Sequence, residues 1–275
     1  MSEIANISDT AHWVAMYRAR ESSRPDALFH DPFAERLAGE RGQATFIAMT
    51  ASMPATARNG WSFVARTKLI DDLTTDCLAD GCDLVLNLAA GLDTRPYRLA
   101  IAKDLTWIEA DLSAMIEEKQ HALASEQPHC ELIRRPVDLA DADARKQFLA
   151  EATAKARRPL VITEGLLPYL TAEQVRAISA DLAESGVRWW ITDMMSPIDV
   201  RMTQRVNRER LASTPIQFGP KEGAEFFAVD GWAAINTPSV LKAASRFNRL
   251  PLVLRPISWL LGEKFGSRVL RLIRR

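Results

Sequence analysis

The stretch Leu84-Val85-Leu86-Asn87-Leu88-Ala89-Ala90-Gly91-Leu92-Asp93-Thr94-Arg95, followed about 20 positions later by Glu109-Ala110-Asp111, constrains the fold more than any other feature of this chain. Leu84 to Leu88 is bounded by Gly81 and Gly91 and is too short for a stable helix, so it reads as a strand buried on both faces. A second run, Leu105 to Ala110, ends at Asp111. Two buried strands with a small-residue turn after the first and an acid at the tip of the second have the spacing of a nucleoside-binding β-α-β unit.

Ala89, Ala90 and Gly91 have little or no side chain, which lets a ligand approach the backbone where open α/β sheets bind their ligands. At the second tip, Asp111 can accept hydrogen bonds from both hydroxyls of a ribose. A dinucleotide site wants G-x-G-x-x-G so that a pyrophosphate can rest on a helix N-terminus. Here the corresponding residues are Ala89, Gly91 and Thr94, and Asp93 puts a negative charge where a diphosphate would lie. A zwitterionic sulfonium ligand without phosphate tolerates that charge, so S-adenosyl-L-methionine is favoured over NAD.

Further strands are expected at Thr106 to Ala110, Glu131 to Arg134, Leu160 to Thr163 and Arg188 to Asp193. Helices are expected at Thr67 to Ala79, Ser113 to Leu123, Ala142 to Ala156 and Ala172 to Glu184, the last capped by Thr171. This alternation predicts a mainly parallel sheet. The first 60 residues read as helical and loop-rich, with Asp31-Pro32-Phe33 opening a helix through an Asp cap and a Pro at its first position. Pro197 to Glu225 breaks the pattern and reads as an insertion that helps cover a substrate, and Trp232 to Val240 supplies the last strand region.

Five ordered motifs now stand together: Ala65-Arg66-Thr67-Lys68-Leu69-Ile70-Asp71, Asn87 to Leu99, Glu109-Ala110-Asp111-Leu112, Val137-Asp138-Leu139, and Thr163-Glu164-Gly165-Leu166-Leu167-Pro168-Tyr169-Leu170. From about Ser8 to Trp232 the chain resembles the leucine carboxyl methyltransferase family and its bacterial polyketide O-methyltransferase relatives, class I S-adenosyl-L-methionine-dependent enzymes. The departure is Ala89, where the family usually carries glycine. The resemblance implies a Rossmann-like α/β fold, with a mainly parallel seven-stranded sheet and helices on both faces. It also implies an N-terminal helical cap over residues 1–60, a cofactor core over 61–195, a helical insertion over 196–225 and the last strands with a basic segment over 226–275, all as one domain.

Residue by residue, Arg66 matches the arginine that grips the methionine carboxylate, a pairing a guanidinium makes with two parallel bonds. Gly91 faces the methionine and ribose portion, and Ala89 belongs to the same cofactor-binding turn, its methyl tolerated because the ligand passes over Gly91. Asp111, with Leu112 beside it, matches the ribose-binding acid, and Asp138 with the backbone of Leu139 matches the pair that holds the adenine. Glu164 matches the acid near the methionine amino end. Tyr169 and Arg20 are expected to line the substrate opening, Arg20 within the Arg18 to Arg24 stretch that the family places near the cleft.

Each assignment has a plainer reading. An arginine in the amphipathic stretch Phe63 to Leu73 is commonly solvated or salt-bridged. Asp138 is a suitable cap for a helix starting near Ala140, and Asp111 for the helix from Ser113. Glu164 before Gly165 can simply end a strand. Asp93, Thr94, Arg95 and Arg98 read as stabilisers of the loop and the helix after it rather than as substrate contacts.

With 275 residues, 47% of them hydrophobic, the chain can bury a substantial core. Its formal charge of zero gives no global field for nucleic acid, which is not expected as a partner. Cys77, Cys82 and Cys130 have no metal-ligand spacing, so reduced thiols and no metal site are expected. Without a signal segment or a run of ~20 apolar residues, a cytoplasmic location follows by default. Arg246 to Arg275 carries eight Lys or Arg and one acid, Glu263, among apolar residues. It reads as a terminal helix docked on the protein or, less favoured, as a weak membrane-surface contact. Oligomeric state is not readable.

The chemistry expected is methyl transfer to the oxygen of a small molecule. A carboxylate needs alignment and exclusion of water but little acid-base help, whereas an alcohol or phenol needs a base. His12, His30, His121 and His129 do not present themselves as one. The reading is therefore a carboxylate O-methyltransferase for a small organic acid or polyketide-like metabolite. The alternatives are a hydroxyl or phenol O-methyltransferase, a nicotinamide-dependent oxidoreductase and a non-catalytic membrane-associated binding protein.

Overall fold

The computed structural model describes residues 7–206, 215–261 and 266–275. Three helices, α1 (Ile7–Ser22), α2 (Ala34–Ser52) and α3 (Trp61–Ala79), precede the first strand, β1 (Leu84–Leu88). Then follow α4 (Arg95–Arg98), β2 (Thr106–Asp111), α5 (Ser113–Ala122), β3 (Glu131–Pro136), α6 (Ala142–Thr153), β4 (Pro159–Thr163), α7 (Ala172–Glu184) and β5 (Trp189–Met194). The chain closes with α8 (Pro197–Val206), β6 (Trp232–Asn236), α9 (Val240–Arg246), α10 (Arg255–Leu261) and β7 (Arg268–Arg274).

The seven strands form one sheet in the order β3-β2-β1-β4-β5-β7-β6. Strands β1 to β5 pair in parallel, and β7 runs antiparallel to both β5 and β6. This is the mainly parallel Rossmann-like sheet expected. The period-2 alternation of a strand divides β1 between two cores. Leu84, Leu86 and Leu88 join α6 and α7 through Phe148, Leu149, Val175 and Ile178. Val85 turns the other way, to α3 and α9 through Leu69, Ile70, Leu73 and Ala244. Strand order reverses between β1 and β4, and the crevice at such a switch point is where open α/β sheets bind ligands.

Thr171 caps α7 in a full capping box with Gln174, as the sequence indicated. Three other expectations change. Helix α2 starts at Ala34 with Phe33 at its N-cap; Asp31 stands two positions earlier, where its Oδ1 accepts from the Phe33 amide at 3.2 Å while Oδ2 receives Arg18 Nε at 2.8 Å and Thr94 Oγ1 at 2.7 Å. Helix α6 is capped by Asp141, not Asp138. Helix α5 has Leu112 at its N-cap with no side-chain cap, since Asp111 is engaged elsewhere.

The insertion begins as the helix α8, continues outside the described residues over 207–214, and ends in a 3-10 turn at Gly223–Asp230. The basic C-terminal segment is not a terminal helix. Its last residues are β7, inserted between β5 and β6, with Val269, Leu270 and Leu272 fully buried. The arginines that suggested a surface are absorbed locally: Arg271 pairs with Asp80 and lies 5.6 Å from the Trp189 ring, and Arg268 donates to the Thr237 carbonyl at 2.7 Å. No helix of the described residues is long and apolar enough to cross a membrane. The three thiols are free and buried, and burial pushes Cys77 up to about 12.

Candidate functional site

A cavity of about 730 Å³ opens at the carboxyl tips of the parallel strands, roofed by α1, α2 and α3. Eight sequence-designated residues, Arg66, Ala89, Gly91, Asp111, Leu112, Asp138, Leu139 and Glu164, line it, and so does Tyr169. They come from α3, from the last residue of β2 and from the loops after β1, β2, β3 and β4, so the parallel sheet gathers positions about 100 residues apart in sequence.

At one end the turn after β1 bends sharply. Ala89 has φ +52° and Gly91 φ +47°, both left-handed, and a Cβ on Gly91 would meet the Ala11 methyl at 3.4 Å. Asp111 spans this turn: Oδ2 accepts from the Gly91 amide at 2.7 Å and Oδ1 from the Leu112 amide at 2.7 Å. Burial raises the Asp111 carboxyl above its ordinary value, and those two amides pull it back. Beside it, Leu112 is 55% exposed despite its apolar side chain. Asp138 Oδ1 accepts from the Ala140 amide at 2.9 Å, and Arg145 steadies the same loop by donating to the Leu139 carbonyl at 2.6 Å.

At the other end four charged groups interlock. Arg66 Nε lies 3.0 Å from Glu164 Oε1 and its Nη1 3.1 Å from Asp193 Oδ2. Glu164 Oε2 lies 2.8 Å from Arg95 Nη2, and Asp193 Oδ1 accepts from the Gly165 amide at 2.6 Å. Burial works to raise Glu164, but Arg95 and Arg66 hold its carboxyl below the usual range. Burial works against the Arg66 charge, and Asp193 and Glu164 outweigh it. Among the described residues lining the cavity, arginines and carboxylates are equal in number and histidine is absent.

Asp93 accepts from Asn87 Nδ2 at 2.7 Å and Arg95 Nη1 at 2.8 Å, and Arg98 binds Asp71, so these residues brace the loop as read from the sequence. Asn87, Asp93, Arg95 and Arg98 also reach the cavity wall. Arg20 requires correction: it is exposed, its guanidinium rests 4.9 Å from the Phe46 ring, and it is not part of the cavity lining. Helical geometry explains this, since Arg18, two positions earlier on α1, turns inward to Asp31 and the Leu92 carbonyl while Arg20 points away.

Sequence reading missed Asp193. In the sequence it is only the last residue of the expected strand Arg188 to Asp193, although an acid at a strand's carboxyl tip is the same positional signal that marks Asp111. It also missed Thr67, a lining residue whose buried Oγ1 has no hydrogen-bond partner among the described residues. The apolar wall beyond Arg66, including Trp13, Met49, Phe63 and Met195, has no motif to announce it.

Residues 11–183 match the model of the leucine carboxyl methyltransferase family. A Streptomyces coelicolor protein, provisionally named an S-adenosyl-L-methionine-dependent methyltransferase, is 34% identical over 235 residues that cover 82% of each chain. A Frankia alni protein with the same provisional name is 35% identical, over 69% of this chain and 70% of its own. Among solved structures, a DUF574 family protein from Streptomyces avermitilis superposes with a TM-score of 0.60 at 13% identity, covering 97% of both chains. With the fold, the cavity and these matches in agreement, the chain belongs to the leucine carboxyl methyltransferase family and is an S-adenosyl-L-methionine-dependent methyltransferase.

Proposed function

We propose that this enzyme transfers the methyl group to a carboxylate oxygen of a small organic acid or polyketide-like metabolite. One observation carries the reading: the described residues lining the cavity include no histidine, and the carboxylates nearest Arg66 are held by arginines. Glu164, held below the usual carboxylate range by Arg95 and Arg66, is therefore a poor proton acceptor, and Asp193 is occupied by Arg66 and the Gly165 amide, which suits an acceptor that arrives already deprotonated and suits an alcohol badly.

The residues fit the methyl donor. Thr67 belongs to the cavity lining and its buried Oγ1 has no hydrogen-bond partner among the described residues, and the Ala89 methyl and the bare Gly91 leave the backbone approachable. Asp111, held by two amides, presents its carboxylate for the ribose hydroxyls. Asp138 and Leu139 would hold the adenine edge, with Leu112 against its face. Arg66 would receive the methionine carboxylate, with Glu164 near the amino group. S-adenosyl-L-methionine held there would supply an electrophilic methyl on a sulfonium sulfur, and a carboxylate acceptor would need no proton removed by the chain. The chain's part is to orient the two groups, exclude water, and keep Arg66 and Glu164 fixed through Asp193 and Arg95.

Two measurements test this. In calorimetry, Arg66→Ala and Asp111→Ala are each expected to weaken donor binding by on the order of 1.5–3 kcal/mol, the usual worth of a hydrogen bond to a charged group. Unchanged affinity in both variants would refute the site map. Incubation with labelled donor and a panel of acids should give a product that base hydrolyses, as an ester is; a base-stable methyl ether would overturn the carboxylate assignment.

A further inference from the structure

Beyond the charged cluster the cavity changes character. Its wall there is Trp13 of α1, Met49 of α2, Met53 just after it, Phe63 of α3, Met195 after β5, and Ile216. These residues form their own packed cluster, separate from the two cores flanking the sheet. The cluster is rigid on its aromatic side: Phe63 meets Trp13 edge-on at 4.9 Å between centroids and stacks on Tyr17 at 5.1 Å. Its other side is thioether, an adaptable surface that fits irregular apolar shapes. Met53, Phe63 and Met195 are only half buried within it.

This wall adjoins the reacting end. The Arg66 guanidinium lies 5.6 Å from the Phe63 ring, and Met195 follows Asp193 by two residues. Ile216 is tied down rather than loose: Gln204 Nε2 donates to its carbonyl at 2.6 Å, and the next amide, of Gln217, donates to the Pro168 carbonyl at 2.7 Å. A chamber walled mainly this way offers a hydrocarbon body contact on several sides, with polar groups only at scattered points such as Thr10, Ser62 and Thr203.

We infer that the acceptor is an amphipathic acid, with a carboxylate at the Arg66 end and an apolar chain or ring seated against Trp13, Phe63, Met53 and Met195. The inference rests on the donor site proposed above and adds the chemical class of the acceptor's body. It disfavours short dicarboxylic acids as substrates, since their second charge would lie against this mainly apolar wall.

The test is a binding series in calorimetry, with S-adenosylhomocysteine present: butyric, hexanoic, octanoic and decanoic acids, succinic acid, and 1-octanol and 1-decanol. Affinity is expected to rise about four-fold per added methylene from butyric to decanoic acid, with succinic acid no better than butyric. In Met53→Glu and Met195→Glu the rise should flatten while S-adenosylhomocysteine still binds, which shows each variant folded. A flat series in the wild type, or an undiminished rise in every variant that binds S-adenosylhomocysteine, would overturn the proposal. Two wall positions on different elements are used so that one unstable variant does not end the test. The carboxylate reading fails separately: if the alkanols bind with the same rise and only they are methylated, the apolar chamber stands and the carboxyl acceptor falls. If short acids yield base-labile esters from a flat series, the reverse holds.

Discussion

Ala89 sits at φ +52° at the tip of β1, where an L-residue pays for the crowding of its own Cβ. Glycine would relieve that strain but would add freedom to the unfolded chain, so the two effects partly cancel. Ala89→Gly is expected to stabilise the protein by a net ~0.5–1 kcal/mol, seen as a rise of roughly 1–4 °C in Tm, with donor affinity retained. A fall in Tm would show that the Ala89 methyl makes packing worth more than the strain. The strain itself was not visible in the sequence, which showed only a glycine missing from a fingerprint. The acids and the arginine were visible, because a strand tip and an apolar run fix their positions before any contact is known. Asp193 was hidden for a different reason: its partners, Arg66 and Gly165, lie 127 and 28 positions away and meet it only in the sheet.

At the scale of elements, the helices and parallel strands from β1 to β5 were legible because each carries a continuous local signal, either an apolar run or a cap. Strand β7 was not. Its sequence, Arg-Val-Leu-Arg-Leu-Ile-Arg, reads as a basic amphipathic stretch, and only the neighbours explain it. Arg271 is buried because Asp80 and the Trp189 ring receive it, and Trp190 and Ala234 flank Leu272 across the sheet. This makes β7 structural. Leu272→Ala should cost about 2–4 kcal/mol in denaturant unfolding, as for other large-to-small core changes. Trp259→Ala on α10, whose ring is 84% exposed, should change stability by no more than ~0.5 kcal/mol. Equal effects would mean that the terminal segment does not pack as described. For the same reason, removing residues 246–275 is no clean probe of a surface role, since it takes out a strand between two others.

For the molecule as a whole, zero formal charge conceals strong local pairing, and that pairing sets the response to acid. Burial alone would raise Asp31, Asp93 and Glu164, yet Arg18 holds the first below its ordinary value, Arg95 the second, and Arg95 with Arg66 the third. A carboxyl whose folded pKa lies below its unfolded value of about 4 contributes stability that is fully present above that value. The contribution is lost as pH falls through the folded pKa, because the unfolded chain takes up protons first. Asp111 works in the opposite sense: burial raises it, so its protonation favours the folded state as pH falls. The depressed groups outnumber it, so the melting temperature is expected to stay level from pH 7 to about 5 and to drop below about 4. Each extra proton bound by the unfolded state contributes a slope of about 1.4 kcal/mol per pH unit. Asp93→Asn and Glu164→Gln should each lower Tm at pH 7, where the arginines lose a partner, and should flatten the decline below pH 4. If both variants melt lower at neutral pH but keep the full acid decline, the protons responsible are bound elsewhere and the arginine-held carboxylates are not what limits the fold in acid.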